Sequence, residues 1–529
     1  MNARFTVLLL GAAAALPAQT PAAPAPPART PAAPTAAEPA LPELGAPAPV
    51  PDGAPPHLAK IDRAGLRQHV YWLADDARGG RYTTSAGQIA TTKYVADHWK
   101  KLGLKPLGDK GWFQSYPLQR TALDAATTLT FGASKVDHDF AVLAGGDVKV
   151  ALSGKFVYCG NGAPGSVPAG LAGRIPLVVL SGKSGRGGAG GDLQAVQRYV
   201  KIAEALEQQG ASAGVVCLLD DNSSLGNTLN YRALLPDHPQ LRNSPGKGAE
   251  WKVPLFVLSA AQSKSLLDHV GLALDAEGKP AEVASNDKAT AKLTIVTKVD
   301  DKAAGTNVVA VLEGTSKKAE AVVFSAHHDH VGRRLDGDVF NGADDNASGT
   351  AGLLEIAEAF ATGGPRPARS IVFLSVSAEE LGLWGSEWFA SHPTWPLDKI
   401  VADVNIDMIG RAGGEPGGPI AMQVTPSFEH AKYSTIVRDA FGLAERFHIV
   451  LTSGDTYYQR SDHYNFAKNG VPVVFFCDGE HPDYHQVTDT ADRLDYERME
   501  AVARLAFWTG WNVANDKARP RELGKQPNW

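Results

Sequence analysis

From Asn307 onward the sequence alternates short apolar runs with helical patterns, and this alternation restricts the second half of the chain to few architectures. The runs Val308 to Leu312, Ala321 to Ala326, Ile371 to Val376, Ile400 to Ile406 and Val471 to Cys477 are rich in β-branched residues and almost continuously apolar. Runs of this kind read as buried strands, because a strand covered on both faces has no polar side to present. Helical patterns are predicted over about Ala347 to Ala361, Leu381 to Ser391 and Asp495 to Val513. Strands alternating with helices predict an α/β fold whose sheet is mainly parallel and covered on both faces. Open sheets of this type carry their sites at the carboxyl ends of the strands.

At 529 residues the chain exceeds what one hydrophobic core usually supports, so more than one domain is expected. A formal charge of −6 with scattered Lys and Arg argues against a nucleic-acid groove or an anionic-membrane patch. The start, Asn2-Ala-Arg4 followed by the apolar stretch Phe5 to Ala15 and by Leu16-Pro-Ala18, has the form of a signal peptide over residues 1–18. Residues 19–56 are Pro- and Ala-rich with almost no charge, which predicts an extended linker. No other run approaches the roughly 20 apolar residues of a spanning helix, so the mature chain is expected to lack an integral membrane segment and to be secreted or periplasmic. Three cysteines, Cys159, Cys217 and Cys477, permit one internal bridge in such a compartment. Cys159 with Cys217 is the pair to test, against three buried free thiols.

Residues 62–103 carry two helical series, through Leu66, Val70 and Leu73 and then Ala90, Tyr94, Val95, Trp99 and Leu102, closed by Gly103 as a left-handed cap. From Leu118 to Lys298 the texture changes to short strands, such as Ile175 to Leu180, Ala213 to Leu219 and Val253 to Leu258, with one clear helix over Asp192 to Gln209. The Gly-rich stretch Gly182 to Gly191 lacks the ending and spacing of a phosphate loop and reads as a plain loop. The final residues, from Asn515, are polar and predict a loosely held tail.

Four strand ends in the second half each deliver candidate metal ligands. His327 and Asp329 follow one strand, Glu379 and Glu380 another, Asp407 a third and His485 a fourth, while Asp344 and Asp345 head the helix after the first. Two imidazoles with several carboxylates suit Zn²⁺, and a bridging carboxylate would let two ions lie about 3.5–4 Å apart. Singly, each residue has an ordinary reading: Asp345 as a helix cap, Glu379-Glu380 as a solvated turn, His327 as a hydrogen-bonded core residue. Their joint placement at strand ends favours a metal site. Asp329, two residues beyond His327, is placed to accept the second ring N–H of that histidine. Spacing alone does not choose between Asp344 and Asp345, nor order the two glutamates.

Six ordered motifs now carry a resemblance: Ala326-His-His-Asp-His-Val-Gly332, Asn341-Gly-Ala-Asp-Asp-Asn-Ala-Ser-Gly349, Ser377-Ala-Glu-Glu-Leu-Gly382, Asn405-Ile-Asp-Met-Ile-Gly410, Arg460-Ser-Asp-His463 and Tyr484-His-Gln-Val-Thr-Asp-Thr490. Together they resemble the secreted dizinc aminopeptidases, a superfamily that also holds bacterial leucyl aminopeptidases, glutamate carboxypeptidase and glutaminyl cyclase. Leu73-Ala-Asp-Asp-Ala-Arg-Gly-Gly-Arg81 is similar to its N-terminal signature. The resemblance implies a phosphorylase/hydrolase-like zinc exopeptidase domain in two parts, 57–117 and 299–516, interrupted by a β-rich protease-associated domain over 118–298 and followed by a tail, 517–529. It implies two Zn²⁺ ions per subunit, Asp345 bridging, His327 and Asp407 completing one site and Glu380 and His485 the other. Glu379 matches the general base acting on a dizinc-bound water, and Tyr484 a donor to the oxyanion. Arg460, Asp462 and His463 match a motif that supports the pocket, and His328 stands where the family often has an aromatic residue. His328, His330 and Asp344 receive no metal role. The expected substrates are peptides cleaved at the N-terminus. The alternatives are a carboxypeptidase for acidic dipeptides, which would need arginines such as Arg333, Arg334, Arg411 and Arg460 to grip a carboxylate, a glutaminyl cyclase with a single zinc, and a non-catalytic receptor-like module.

Overall fold

The strand Lys317–His327 turns Val322, Phe324 and Ala326 to one face and Ala321 and Val323 to the other, and each set enters a different hydrophobic core. This is the double burial that its unbroken apolar run predicts. In a computed structural model of the protein, residues 43–181, 193–243, 251–275, 290–411 and 420–528 are described, and one compact unit spans Leu44 to Trp529. The expected signal peptide, most of the linker and the Gly182–Gly191 loop lie outside the described residues.

The strand Lys317–His327 lies between Arg369–Val376 and Ile400–Ile406, and Ile400–Ile406 pairs in turn with Val473–Cys477, all four running parallel. Antiparallel strands flank this centre. Thr290–Leu312 pairs with Arg369–Val376 on one side, and Ile420–Thr425, backed by Ile449–Ser453, pairs with Val473–Cys477 on the other. The expected strands and helices of this half are all present, at Gly349–Thr362, Trp384–Ser391 and Tyr496–Asn515 for the helices. The strands Ile420–Thr425 and Ile449–Ser453 and the helix Thr435–Ala444 add to them. The two N-terminal helices, Arg63–Leu73 and Ala86–Lys101, are capped by Asp62 and Ser85, whose side chains accept from backbone N–H groups of the first turn, and Gly103 follows with φ +75°.

The middle segment has hydrophobic cores of its own on the two faces of a sheet containing Ile175–Leu180, Gly214–Leu218 and Leu255–Leu258. Its described residues carry three α-helices where one was expected, Leu193–Gln208, Ser224–Arg232 and Ala260–Val270. The 23-residue strand Thr290–Leu312 runs out of this module into the main sheet. Cys159 and Cys217 are buried free thiols in different cores, on opposite faces of the sheet, so they do not form the bridge considered above.

Two expectations about the ends are corrected. Residues 44–56 are not free linker: Leu44 and Ala54 pack on the main core, and the Ala48 N–H donates to Glu500 (3.2 Å) while Arg504 donates to the Ala48 carbonyl (2.8 Å). The tail is held as well, with Leu523 N donating to the Tyr433 carbonyl, Gln526 N to that of Phe428, and Arg519 paired with Glu320. Backbone hydrogen bonds need no apolar pattern, which is why neither docking is legible in composition. No helix among the described residues is long and apolar enough to cross a membrane.

Candidate metal centre

The carboxyl ends of the parallel strands bring the candidate ligands together. His327 is the last residue of its strand, Asp407 follows Ile400–Ile406 directly, and Glu379 and Glu380 stand just beyond Arg369–Val376. Asp345 sits in an irregular turn, Ala343–Ser348, that opens the helix Gly349–Thr362, and its side chain caps nothing there. Gly342, with φ +56°, allows this turn: a Cβ there would lie 2.2 Å from the Asp345 carbonyl oxygen and 2.4 Å from the His330 ring. Ala378, Met408 and His485 also hold positive φ, at 56°, 58° and 53°. Such strain in non-glycine residues, about 1–3 kcal/mol each, gathers where side chains must be aimed.

Two donor groups share Asp345. In the first, His327 Nε2 lies 3.2 Å from Asp407 Oδ1 and 3.4 Å from Asp345 Oδ1. In the second, His485 Nε2 lies 3.0 Å from Asp345 Oδ2 and 3.1 Å from Glu380 Oε2. Donors held about 2.0–2.1 Å from one tetrahedral zinc ion stand about 3.3 Å apart, so both groups fit such an ion, and the two oxygens of Asp345 face different groups. His330 joins the second group, with Nδ1 2.7 Å from Glu380 Oε1 and 3.9 Å from Asp345 Oδ2. The resemblance gives His330 no metal role, although it stands in the same tract, three residues after His327.

Charge is balanced within this cluster by opposing shifts. Burial pushes the Asp345 carboxyl up, but hydrogen bonds from His327 and His485 outweigh it and hold the group well below the usual range. Burial and Asp345 act in the same way on Glu380, and His485 and His330 bring it down to about 2. Glu379 belongs to neither donor group, and burial drives its carboxyl well above the ordinary value. Burial lowers the His327 imidazole, yet Asp407 and Glu379 overcome this and hold it well above. Carboxylates crowded in this way need imidazolium protons or a cation between them.

A second layer fixes the loops. His327 Nδ1 lies 3.3 Å from the Asp329 backbone carbonyl and 3.7 Å from its carboxylate. The Asp329 carboxylate accepts instead from Thr83 Oγ1 (2.9 Å) and the Glu379 N–H (3.2 Å), so it fastens the loop that carries Glu379 more closely than it orients the imidazole. Asp489 accepts from the N–H groups of Asp344 and Asp345, and Ser461 Oγ donates to Asp407 Oδ2 at 2.8 Å. Arg81, from the N-terminal signature, is fully buried and donates to the carbonyls of Leu73, His328, Asn341 and Gly342.

The unassigned neighbours point elsewhere. His328 accepts from Gln88 and donates to Ser375, with burial holding it at about 3, and Asp344 accepts from the Gly410 N–H and lies 3.2 Å from His481. Tyr484 stacks on His485 with ring centroids 3.9 Å apart and lines a narrow pocket with Asp345, Glu379, Asp407, Met408, Phe475 and Cys477. Arg460 stands at its rim, paired with Glu480 at 2.9 Å; His463 stacks on Phe475, and burial pushes the Asp462 carboxyl to about 7.

Comparison with known proteins agrees with this geometry. The model of peptidase family M28 matches residues 307–509. A probable leucine aminopeptidase of Trichophyton verrucosum is 29% identical over 217 residues, which cover 39% of this chain and 57% of that one. A probable zinc metalloprotease of Pyricularia oryzae is 30% identical over 264 residues, 41% of this chain and 51% of that one. The chain therefore spans somewhat more than half the length of these relatives. The structure of BSAP, a zinc aminopeptidase from Bacillus subtilis, has the same fold at a TM-score of 0.55 and 18% identity, covering 87% of this chain and 97% of that one. The match to peptidase family M28 thus falls on residues 307–509, the part of the chain that carries both donor groups.

Proposed function

We propose that this protein is a zinc-dependent aminopeptidase that hydrolyses the N-terminal bond of short peptides outside the cytoplasm. The observation that carries the reading is the Asp345 carboxylate, one oxygen facing His327 and the other His485, at the junction of two donor groups. Zinc at such sites supplies Lewis acidity toward a peptide carbonyl and an acidified water. His327, Asp407 and Asp345 would hold one ion, and Asp345, Glu380 and His485 the other. Glu379, outside both groups with Oε2 3.9 Å from His327 Nε2, accepts the proton of the attacking water and delivers it to the leaving amine. Tyr484 lines the same pocket, where its hydroxyl donates to the oxygen of the carbonyl under attack.

Carboxylates at the pocket floor suit an α-ammonium group. The wall formed by Met408, Phe475 and Cys477 suits an apolar first side chain. The carboxypeptidase alternative loses its cations: Arg333 is paired with Asp237, Arg334 with Asp336 and Asp338, Arg411 with Asp483, and Arg460 with Glu480. Two donor groups in place of one count against a single-zinc cyclase. The amino-terminal form of the signal sequence and the relatives' names support export and peptide substrates respectively. Profiling the zinc-loaded protein against matched free and N-acetylated peptides tests the proposal. Cleavage of the free series alone is expected, and equal cleavage of the acetylated series would refute aminopeptidase action.

A further inference from the structure

We infer that His330 is a positioning residue of the second donor group: its Nδ1–H holds Glu380 Oε1 and so commits Glu380 Oε2 to the side of His485 and Asp345. The inference rests on the metal-binding reading above. The terminal torsion of a glutamate is broad and two-fold, so nothing in the covalent structure decides which oxygen faces inward. Here the two oxygens face different imidazoles, Oε1 that of His330 at 2.7 Å and Oε2 that of His485 at 3.1 Å. The shorter separation is that of a charge-assisted hydrogen bond, whereas two donors on one tetrahedral ion stand about 3.3 Å apart. The Nδ1 atom is also 3.9 Å from Asp345 Oδ2, farther than an edge of such a polyhedron. His330 therefore bonds to a ligand, and its ring is not itself one.

The ring is placed for this task by packing. His330 is fully buried, its backbone N–H donates to the Arg81 carbonyl at 3.3 Å, and its ring lies against Gly342, where a Cβ would approach to 2.4 Å. Among the described residues its Nε2 has no hydrogen-bond partner, so the bond to Glu380 is the directional contact that sets the ring's rotation. A carboxylate held through one oxygen leaves the neighbouring coordination position open. One free to rotate can close on the ion through both.

The test uses His330→Leu, which keeps bulk without a donor, and His330→Asn, whose amide N–H₂ stands near the place of Nδ1. Zinc affinity of the two sites is measured by competition with a chromogenic chelator, and imidazoles per zinc pair are counted by X-ray absorption. The expected result is a roughly 10–100-fold loss of affinity for one of the two ions in His330→Leu, the size typical of a lost partner to a ligand. The other ion should be unaffected, most of the loss should be recovered in His330→Asn, and the count should stay at two imidazoles per pair throughout. Wild-type affinity at both sites in His330→Leu would overturn the inference alone, whereas a wild-type protein that takes up no zinc would overturn the functional reading together with it. If His330→Leu does not fold, the wild-type count decides: three imidazoles per pair makes His330 a ligand and overturns its positioning role.

Discussion

Replacing Arg81 should destabilise the half of the molecule that bears the metal centre far more than a single surface contact would. Its guanidinium is fully buried and gives four hydrogen bonds, to the carbonyls of His328 (3.0 Å), Leu73 (2.9 Å), Asn341 (2.6 Å) and Gly342 (2.8 Å). Three of those acceptors lie on the two loops that present His327 and Asp345. In Arg81→Met the Gly342 oxygen keeps a second donor, the Ala347 N–H at 3.1 Å, and the other three lose this partner. A buried carbonyl left without a donor costs about 1–3 kcal/mol, so the loss is on the order of 3–9 kcal/mol, brought toward the lower end by water entering the vacated space. That is a large share of a typical total stability of about 5–15 kcal/mol. Arg81→Lys keeps the charge but concentrates its donors on one atom and should lose about half as much. Urea unfolding followed by tryptophan fluorescence is the assay, because Trp72, Trp99, Trp384, Trp388, Trp508 and Trp511 lie outside the middle segment and report on the affected half. A loss below about 1 kcal/mol for Arg81→Met at an unchanged denaturant slope would refute the clamp.

Glu379→Gln should retain both zinc ions by metal analysis and lose nearly all turnover, about 10²-fold or more; preserved activity would remove Glu379 as the base. Asp345→Ala should lower zinc content, and two ions retained at wild-type affinity would exclude a bridging carboxylate. Glu355 offers a prediction remote from the site. Burial beside Glu358 pushes its carboxyl to about 8, against about 4.3 in an unfolded chain, so the folded state keeps a proton that the unfolded state has lost between those values. Its contribution to stability therefore falls as pH rises from about 4.3 to 8. Glu355→Gln should melt with the wild type near pH 4 and above it at pH 8, by on the order of 2–5 kcal/mol, and parallel melting curves across that range would refute the assignment.

The central sheet was legible because its strands are doubly buried, and double burial leaves apolar runs whose shortness and β-branched content separate them from buried helices. The strands Ile420–Thr425 and Ile449–Ser453, beyond Val473–Cys477, are partly exposed, carry mixed residues, and left no such trace. The candidate ligands His327, Glu380, Asp407 and His485 stood out for a related reason, as polar residues standing where apolar strands end. His330 did not, because its part depends on which way the chain turns after His327, and Arg81 did not, because its partners are carbonyls that no side-chain pattern encodes.

Periodicity and residue chemistry by themselves determined the alternating α/β architecture, the edge of the sheet that carries the centre, and the carboxylate and imidazole character of that centre. Periodicity and spacing left open which of two adjacent aspartates faces both donor groups and which glutamate stands outside them; the motif resemblance implied Asp345 and Glu379, tertiary structure shows that arrangement, and it alone decided that Cys159 and Cys217 lie on opposite faces of a sheet. These choices turn on where neighbouring side chains point, and that direction is set by contacts with residues far away in the chain: the Asp489 carboxylate beneath Asp344 and Asp345, the Asp329 carboxylate on the Glu379 N–H, and the Arg81 guanidinium across both loops.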